Sequence, residues 1–89
     1  MGLDTVEVVL WAEKTFDLHL PDNEVSLIYT VGEFCDYLSN KLTLKHGLKS
    51  VPSHETIFNQ LTIMLIKNYG IKPEKISRDA RFIQDLNLQ

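Results

Sequence analysis

At 89 residues, with 44% hydrophobic and 24% charged side chains, the chain has the length of one domain and the composition of a globular fold with one modest core. Cys35 stands alone, which excludes a disulfide framework, and one Cys with scattered His19, His46 and His54 gives no zinc-ligand spacing. The net charge of −3 hides an asymmetry: residues 1–40 carry eight acids against Lys14, net −7, and residues 41–89 carry eight bases against four acids, net +4, unlike a uniformly basic nucleic-acid binder.

The spacing predicts a first helix over residues 3–18. Leu3, Val6, Val9 and Leu10 recur at three- and four-residue steps, and Ala12 and Phe16 extend the stripe. The run from Val8 through Ala12 is too broad for one stripe, so part of it must be exposed or meet another surface. Leu20-Pro21-Asp22 is expected to stop this helix, because proline disfavours the helical region at the residue before it. Residues 22–28 can form a short helical turn. Thr30-Val31-Gly32-Glu33 has the form of a capping box and opens a helix with Val31, Phe34, Cys35, Leu38 and Leu42 inward.

Residues 43–52 lack a period and contain Gly47 and Pro52, the mark of a linker. Ser53 is placed to cap a further helix with Ile57, Leu61, Met64 and Leu65 on one face, and Asn68-Tyr69-Gly70 is placed to end it. From Pro73 onward the pattern is a long connection anchored by Ile76, Phe82, Ile83 and Leu86, with Ile71 ahead of it. The expected fold class is all-α, a small three- to four-helix bundle in a single domain, 1–89.

Candidate chemistry is sparse. Cys35 falls on the inward face of its helix, as a buried thiol does, and no histidine pairs with it locally. There is no Gly-rich phosphate loop, no Gly-x-Ser-x-Gly and no carboxylate pair with a pocket to raise a pKa. Met1-Gly2 begins a myristoylation-like start, but Val6 stands where that motif needs Ser or Thr. No apolar run reaches the roughly 18 residues of a membrane span, and the start lacks a secretory layout. A catalytic role, a metal site and a membrane or nucleic-acid partner are not expected, and a cytoplasmic location is.

The order of the pieces is informative. Gly2-Leu3-Asp4-Thr5-Val6-Glu7, then Phe16-Asp17 and Leu20-Pro21-Asp22, resembles the second helix and following loop of the acyl carrier protein family. Thr30-Val31-Gly32 with Asp36-Tyr37-Leu38 resembles that family's last helix. Ile57, then Asn68-Tyr69-Gly70-Ile71-Lys72-Pro73-Glu74-Lys75-Ile76, resembles its first helix and the start of its long first loop, and Phe82-Ile83-Gln84-Asp85-Leu86 the loop's end. In that family the counterpart of residues 53–89 precedes the counterpart of residues 2–42. The resemblance therefore implies an acyl-carrier-like fold with permuted helix order: residues 2–42 match family helices two to four, residues 43–52 join the old termini, and residues 53–89 match helix one and the long loop. Joining termini that lie close is commonly tolerated. The alternative is a chain that gives its helices to two bundles, as a swapped dimer; a closed monomer is the expectation.

The resemblance also implies where the family chemistry falls. Its acceptor serine, in an Asp-Ser-Leu motif, is esterified by 4′-phosphopantetheine. The match puts Gly2 at the serine position and Gln89 where the motif's Asp stands, with Met1 between them as an extra residue. Glycine has no hydroxyl, and no Asp-Ser dipeptide occurs in the 89 residues, so no attachment is expected. Family partners present Lys and Arg to acids on the second helix, and these positions match Asp4, Glu7 and Glu13, with Leu10 as the apolar contact. Lys14 departs from the family's usual acid, and Trp11 from its usual small residue. The implied role is a non-catalytic binding or scaffold module for enzymes of fatty-acid, polyketide or peptide synthesis. The alternatives are a carrier loaded by an atypical route and a swapped structural oligomer.

Overall fold

The computed structural model describes residues 6–47 and 51–88. Among these residues four α-helices follow one another: α1 (Val6–Phe16), α2 (Asp22–Val25), α3 (Val31–His46) and α4 (His54–Tyr69), with a 3-10 turn at Pro73–Lys75 after the last. The class is all-α, and among the described residues the only β-type pairing is an isolated bridge between Thr30 and Arg81.

Helix α1 buries Val8, Val9, Ala12 and Phe16, a stripe at one-, three- and four-residue steps. It ends two residues earlier than the sequence pattern predicts, and proline is not the cause. Asp17 turns left-handed at φ 54, and the Leu18 N–H reaches back to the Glu13 carbonyl at 3.0 Å, closing a Schellman-type stop. Aspartate tolerates this region better than most residues, so the stop needs no glycine. Pro21 instead caps α2, whose Val25, with Ile28 after it, anchors the short element in the core.

Helix α3 opens on the expected capping box. The Glu33 N–H donates to Thr30 Oγ1 at 3.1 Å, and the Thr30 N–H donates to Glu33 Oε1 at 2.9 Å. The inward set is Val31, Phe34, Cys35, Leu38 and Leu42, as the spacing predicts. The helix runs on through residues 43–46, which the missing apolar period assigns to a linker. Three interactions extend it without core contacts. Thr43 Oγ1 donates to the Ser39 carbonyl at 2.9 Å, Lys45 binds Asp17, and the Gly47 N–H closes the last turn on the Thr43 carbonyl at 2.9 Å. This last turn is helical without an apolar stripe, and its one apolar side chain, Leu44, is exposed.

Ser53 caps α4 by accepting the Thr56 N–H at 3.1 Å, and Gly70 ends it at φ 65. Ile57, Leu61, Met64 and Leu65 are buried and α4 packs against α3. The long segment after α4 then folds back onto the start of α3. Its carbonyls accept two of the first-turn N–H groups that a helix cannot satisfy itself: Val31 donates to Ala80 at 2.9 Å and Gly32 to Arg78 at 2.8 Å. Phe82 is 1% exposed and meets Phe34 edge-on, ring centroids 6.0 Å apart. Ile83, an expected anchor, is only half-buried; Ala80 and Leu88 are the anchors that the spacing does not single out.

Ion pairs join the acidic and basic halves. Glu24 meets Lys41 at 2.7 Å, Asp17 meets Lys45 at 2.9 Å, and Asp36 holds Arg78 at 2.8 Å with His54 at 3.2 Å. Much of the sequence asymmetry is thus internal complementarity, with acids of residues 1–40 paired to bases of residues 41–89, two of those bases on α3 itself.

Candidate docking face

The predicted partner contacts lie on α1. Gly2, matched to the family's acceptor serine, and Asp4 lie outside the described residues. Glu7 and Leu10 share the outward face at a three-residue step, and Leu10 is 50% exposed although Val8 and Val9 beside it are buried. Lys14, one turn on, is exposed on the same face. The broad apolar run therefore splits: Val8, Val9 and Ala12 build the core, Leu10 meets solvent, and Trp11 is half-buried against the core, edge-on to Phe16 at 5.8 Å.

Glu13 is differently engaged. Its carboxylate accepts the Leu20 N–H at 2.9 Å and faces His19 Nδ1 at 3.8 Å. One oxygen thus braces the loop between α1 and α2, a charge-assisted bond to backbone that holds the acid on the helix flank. Glu7 accepts the Tyr69 hydroxyl at 3.3 Å, a long bond that leaves most of the carboxylate to solvent. Burial and the nearby Glu7 charge push the Tyr69 phenol up.

The remaining surface features are apolar. On the turn between α2 and α3, Leu27 is 72% exposed and Tyr29 48%. The thiol of Cys35 is fully buried, and burial pushes it up to about 11, so it is a core group as expected. Among the described residues no cluster of three His, Cys, Asp or Glu side chains is arranged to hold a metal, and no helix is long and apolar enough to cross a membrane.

A groove of about 440 Å³ lies at the end of α4 and was not anticipated from sequence. Residues 69–72, Lys75 and residues 85–88 line it. The signal that could have found it is Lys72-Pro73-Glu74-Lys75, where proline starts a 3-10 turn with a lysine before it and a lysine at its end. Tyr69 connects this groove to the start of α1 through its bond to Glu7.

Comparison with known proteins bears on this arrangement. An acyl carrier protein of Amoebophilus asiaticus (strain 5a2) is 40% identical over 44 residues, 49% of this chain and 55% of that protein. Over that stretch the chain is similar to acyl carrier proteins. An acyl carrier protein of Acidothermus cellulolyticus (strain ATCC 43068 / DSM 8971 / 11B) is 47% identical over 39 residues, 44% of this chain and 46% of that protein. The chain spans about half the length of the curated relatives it matches. No family model and no solved structure matches it. The all-α bundle is consistent with the acyl-carrier-like assignment.

Proposed function

We propose that the chain is a permuted acyl-carrier-like domain without the acceptor serine, acting as a non-catalytic docking or scaffold module for enzymes of acyl-chain or peptide synthesis. The observation that carries the docking reading is Leu10, half exposed in mid-helix, beside the largely solvated Glu7 carboxylate. A basic partner surface with an apolar centre complements that pair. Glu13, although its carboxylate accepts the Leu20 N–H, extends the acidic flank of the same helix, and Asp4 is assigned to the same face by spacing.

Two features support the permuted order. Collinear alignment of a permuted chain with its relatives can follow only one block at a time, and each match covers only about half of this chain. Tyr69 also meets Glu7 near the start of α1 and lines the same groove as Leu88, so residues 7 and 88 both lie close to the end of α4. The missing acceptor rests on Gly2 at the matched position and on the lack of any Asp-Ser dipeptide in the 89 residues.

One enzyme tests both parts. After incubation with a phosphopantetheinyl transferase and coenzyme A, intact mass is expected to stay unchanged; a gain of one phosphopantetheine would refute the loss of the acceptor and establish a carrier loaded by an atypical route. Calorimetric titration against the same transferase is expected to show binding that weakens in Glu7→Lys and Leu10→Ala. Equal affinity of the variants and the parent chain rejects the docking face.

A further inference from the structure

We propose that the outward face of α1 pairs with the same face of a second copy of this chain, as a weak antiparallel dimer. Glu7, Leu10 and Lys14 are exposed, and their three- and four-residue steps place them in one sector of the helix, about 60° wide. That sector lies opposite the stripe of Val8, Ala12 and Phe16 that enters the core. Leu10, 50% exposed in mid-helix, thus has an acid one turn before it and a base one turn after it.

Neither charge is neutralised within the molecule. Among the described residues Lys14 and Glu7 have no ion-pair partner, and the bond Glu7 accepts, from the Tyr69 hydroxyl at 3.3 Å, is long and brings no charge. The acids beside them are engaged: Glu13, on the flank, accepts the Leu20 N–H at 2.9 Å, and Asp17 meets Lys45 at 2.9 Å. The order of the three side chains selects the occupant. A uniformly basic surface that attracts Glu7 repels Lys14, and a uniformly acidic one does the reverse. A surface carrying both signs about an apolar centre, in reversed order, satisfies all three, and α1 turned end for end is such a surface.

A two-fold axis at Leu10, perpendicular to the helix, sets that leucine on its own copy. At the helical rise, Glu7 then lies about 4.5 Å from the axis and Lys14 of the second copy about 6 Å, on the same side. The rotation keeps Glu7 and Lys14 on one edge of the contact and Glu13 on the other, so two ion pairs form without acids opposed. An isologous contact of this kind closes at two copies. One helix face buries less than the roughly 1,000 Å² of a stable interface, so the dissociation constant is expected on the order of 0.1–1 mM. Pairing covers the face assigned above to a partner enzyme, but it needs no such partner and stands or falls separately.

The test is sedimentation equilibrium of the full chain at low salt, over concentrations spanning about a hundredfold around that constant. The expected result is a monomer–dimer equilibrium that weakens as salt is added. Glu7→Lys, Lys14→Glu and Leu10→Asp each act twice in a two-fold contact, and each is expected to weaken pairing at least about tenfold. Charge exchange should then restore it. The double variant Glu7→Lys/Lys14→Glu is expected to pair with about the parent's affinity, and so is an equal mixture of the Glu7→Lys and Lys14→Glu single variants, because each supplies the charge the other lacks. Circular dichroism melts check that every variant is folded, and the mixture decides the question even where the double variant is not. A parent chain that stays monomeric overturns the proposal, whether or not it binds the transferase. A dimer that all three single variants leave unchanged also overturns it and assigns association to another face or to a swapped form. Folded single variants that fail to pair when mixed overturn it as well.

Discussion

Replacing Gly32 tests how the long segment after α4 is held on α3. Gly32 is the second residue of α3, and its N–H donates to the Arg78 carbonyl at 2.8 Å. A Cβ built on Gly32 would lie 2.8 Å from that same carbonyl oxygen and 3.1 Å from Arg78 Cβ. The closest atom is backbone, so relief requires residues 78–82 to move off the helix rather than a side chain to rotate. Such a shift weakens the hydrogen bond, a net loss of about 1 kcal/mol, and adds overpacking strain of about 1–3 kcal/mol. Helix propensity opposes this, since alanine is favoured over glycine by about 1 kcal/mol inside a helix. The steric and hydrogen-bond losses win, and Gly32→Ala is expected to destabilise by about 1–3 kcal/mol, the same order as the overpacking strain. For a domain of this size that lowers Tm by roughly 4–8 °C per kcal/mol. Urea unfolding followed by circular dichroism measures it, with Asn40→Ala, exposed on the same helix, as the control expected to match the parent within about 0.5 kcal/mol. A Gly32→Ala variant as stable as the parent, or more so, would refute the close packing of Arg78 on α3.

Thr30→Ala removes the acceptor for the Glu33 N–H and is expected to destabilise by about 0.5–2 kcal/mol, read in the same unfolding assay. The backbone N–H groups of Tyr29 and Thr30, both held by Glu33 Oε1, keep the Glu33 carboxyl below its usual range. A depressed folded-state pKa stabilises the fold above the unfolded value and the contribution is lost as pH falls through the folded one. Tm is therefore expected to fall as pH drops below about 4.3, and Glu33→Gln to reduce that dependence. Glu13→Ala leaves the Leu20 N–H without its acceptor and is expected to destabilise by about 1–3 kcal/mol, whereas Glu7→Ala, whose bond to Tyr69 is long and exposed, should change stability by less than about 0.5 kcal/mol; the two melting curves compare them. Cys35 is expected to resist a thiol reagent in the folded chain and to react fully in denaturant, as timed absorbance of the released chromophore shows.

The elements that sequence predicts well are those whose signals are local. The Thr30 to Glu33 capping box, the Ser53 cap, the Gly70 stop and the inward faces of α3 and α4 each follow from a residue type at a fixed offset. The end of α1 and the extension of α3 were not legible, because Asp17 competes with Pro21 as the stop and because Lys45 draws its support from Asp17, 28 residues away. The segment after α4 lacks a period, so its anchors depend on what Phe34 and the open turn of α3 offer them. That is why Ala80 and Leu88 are buried while the larger Ile83 is only half so. On the candidate face, the three-residue step from Glu7 to Leu10 was readable; the bond from Leu20 to Glu13 was not, since it depends on the loop's path.

Charge separation along the chain and charge presented to a partner are different quantities here. The acidic half carries eight acids, yet Asp17, Glu24 and Asp36 pair with bases from residues 41–89, and Glu33 closes a capping box. Glu13 spends one oxygen on the loop after α1. What remains near Leu10 is Glu7, whose hydrogen bond to Tyr69 is long, with Lys14 one turn further along to oppose it. Exposed pairs of this kind contribute about 0.2–1 kcal/mol each, so a partner held by charge alone would bind weakly and lose affinity steeply with salt. Leu10 changes the balance: burying a leucine side chain contributes about 1.5–3 kcal/mol, more than any one of these charges. On this surface the acids would orient an approaching basic partner while the leucine retains it. Leu10→Ala should then act mainly on dissociation and Glu7→Lys mainly on association, with salt erasing the second effect and sparing the first.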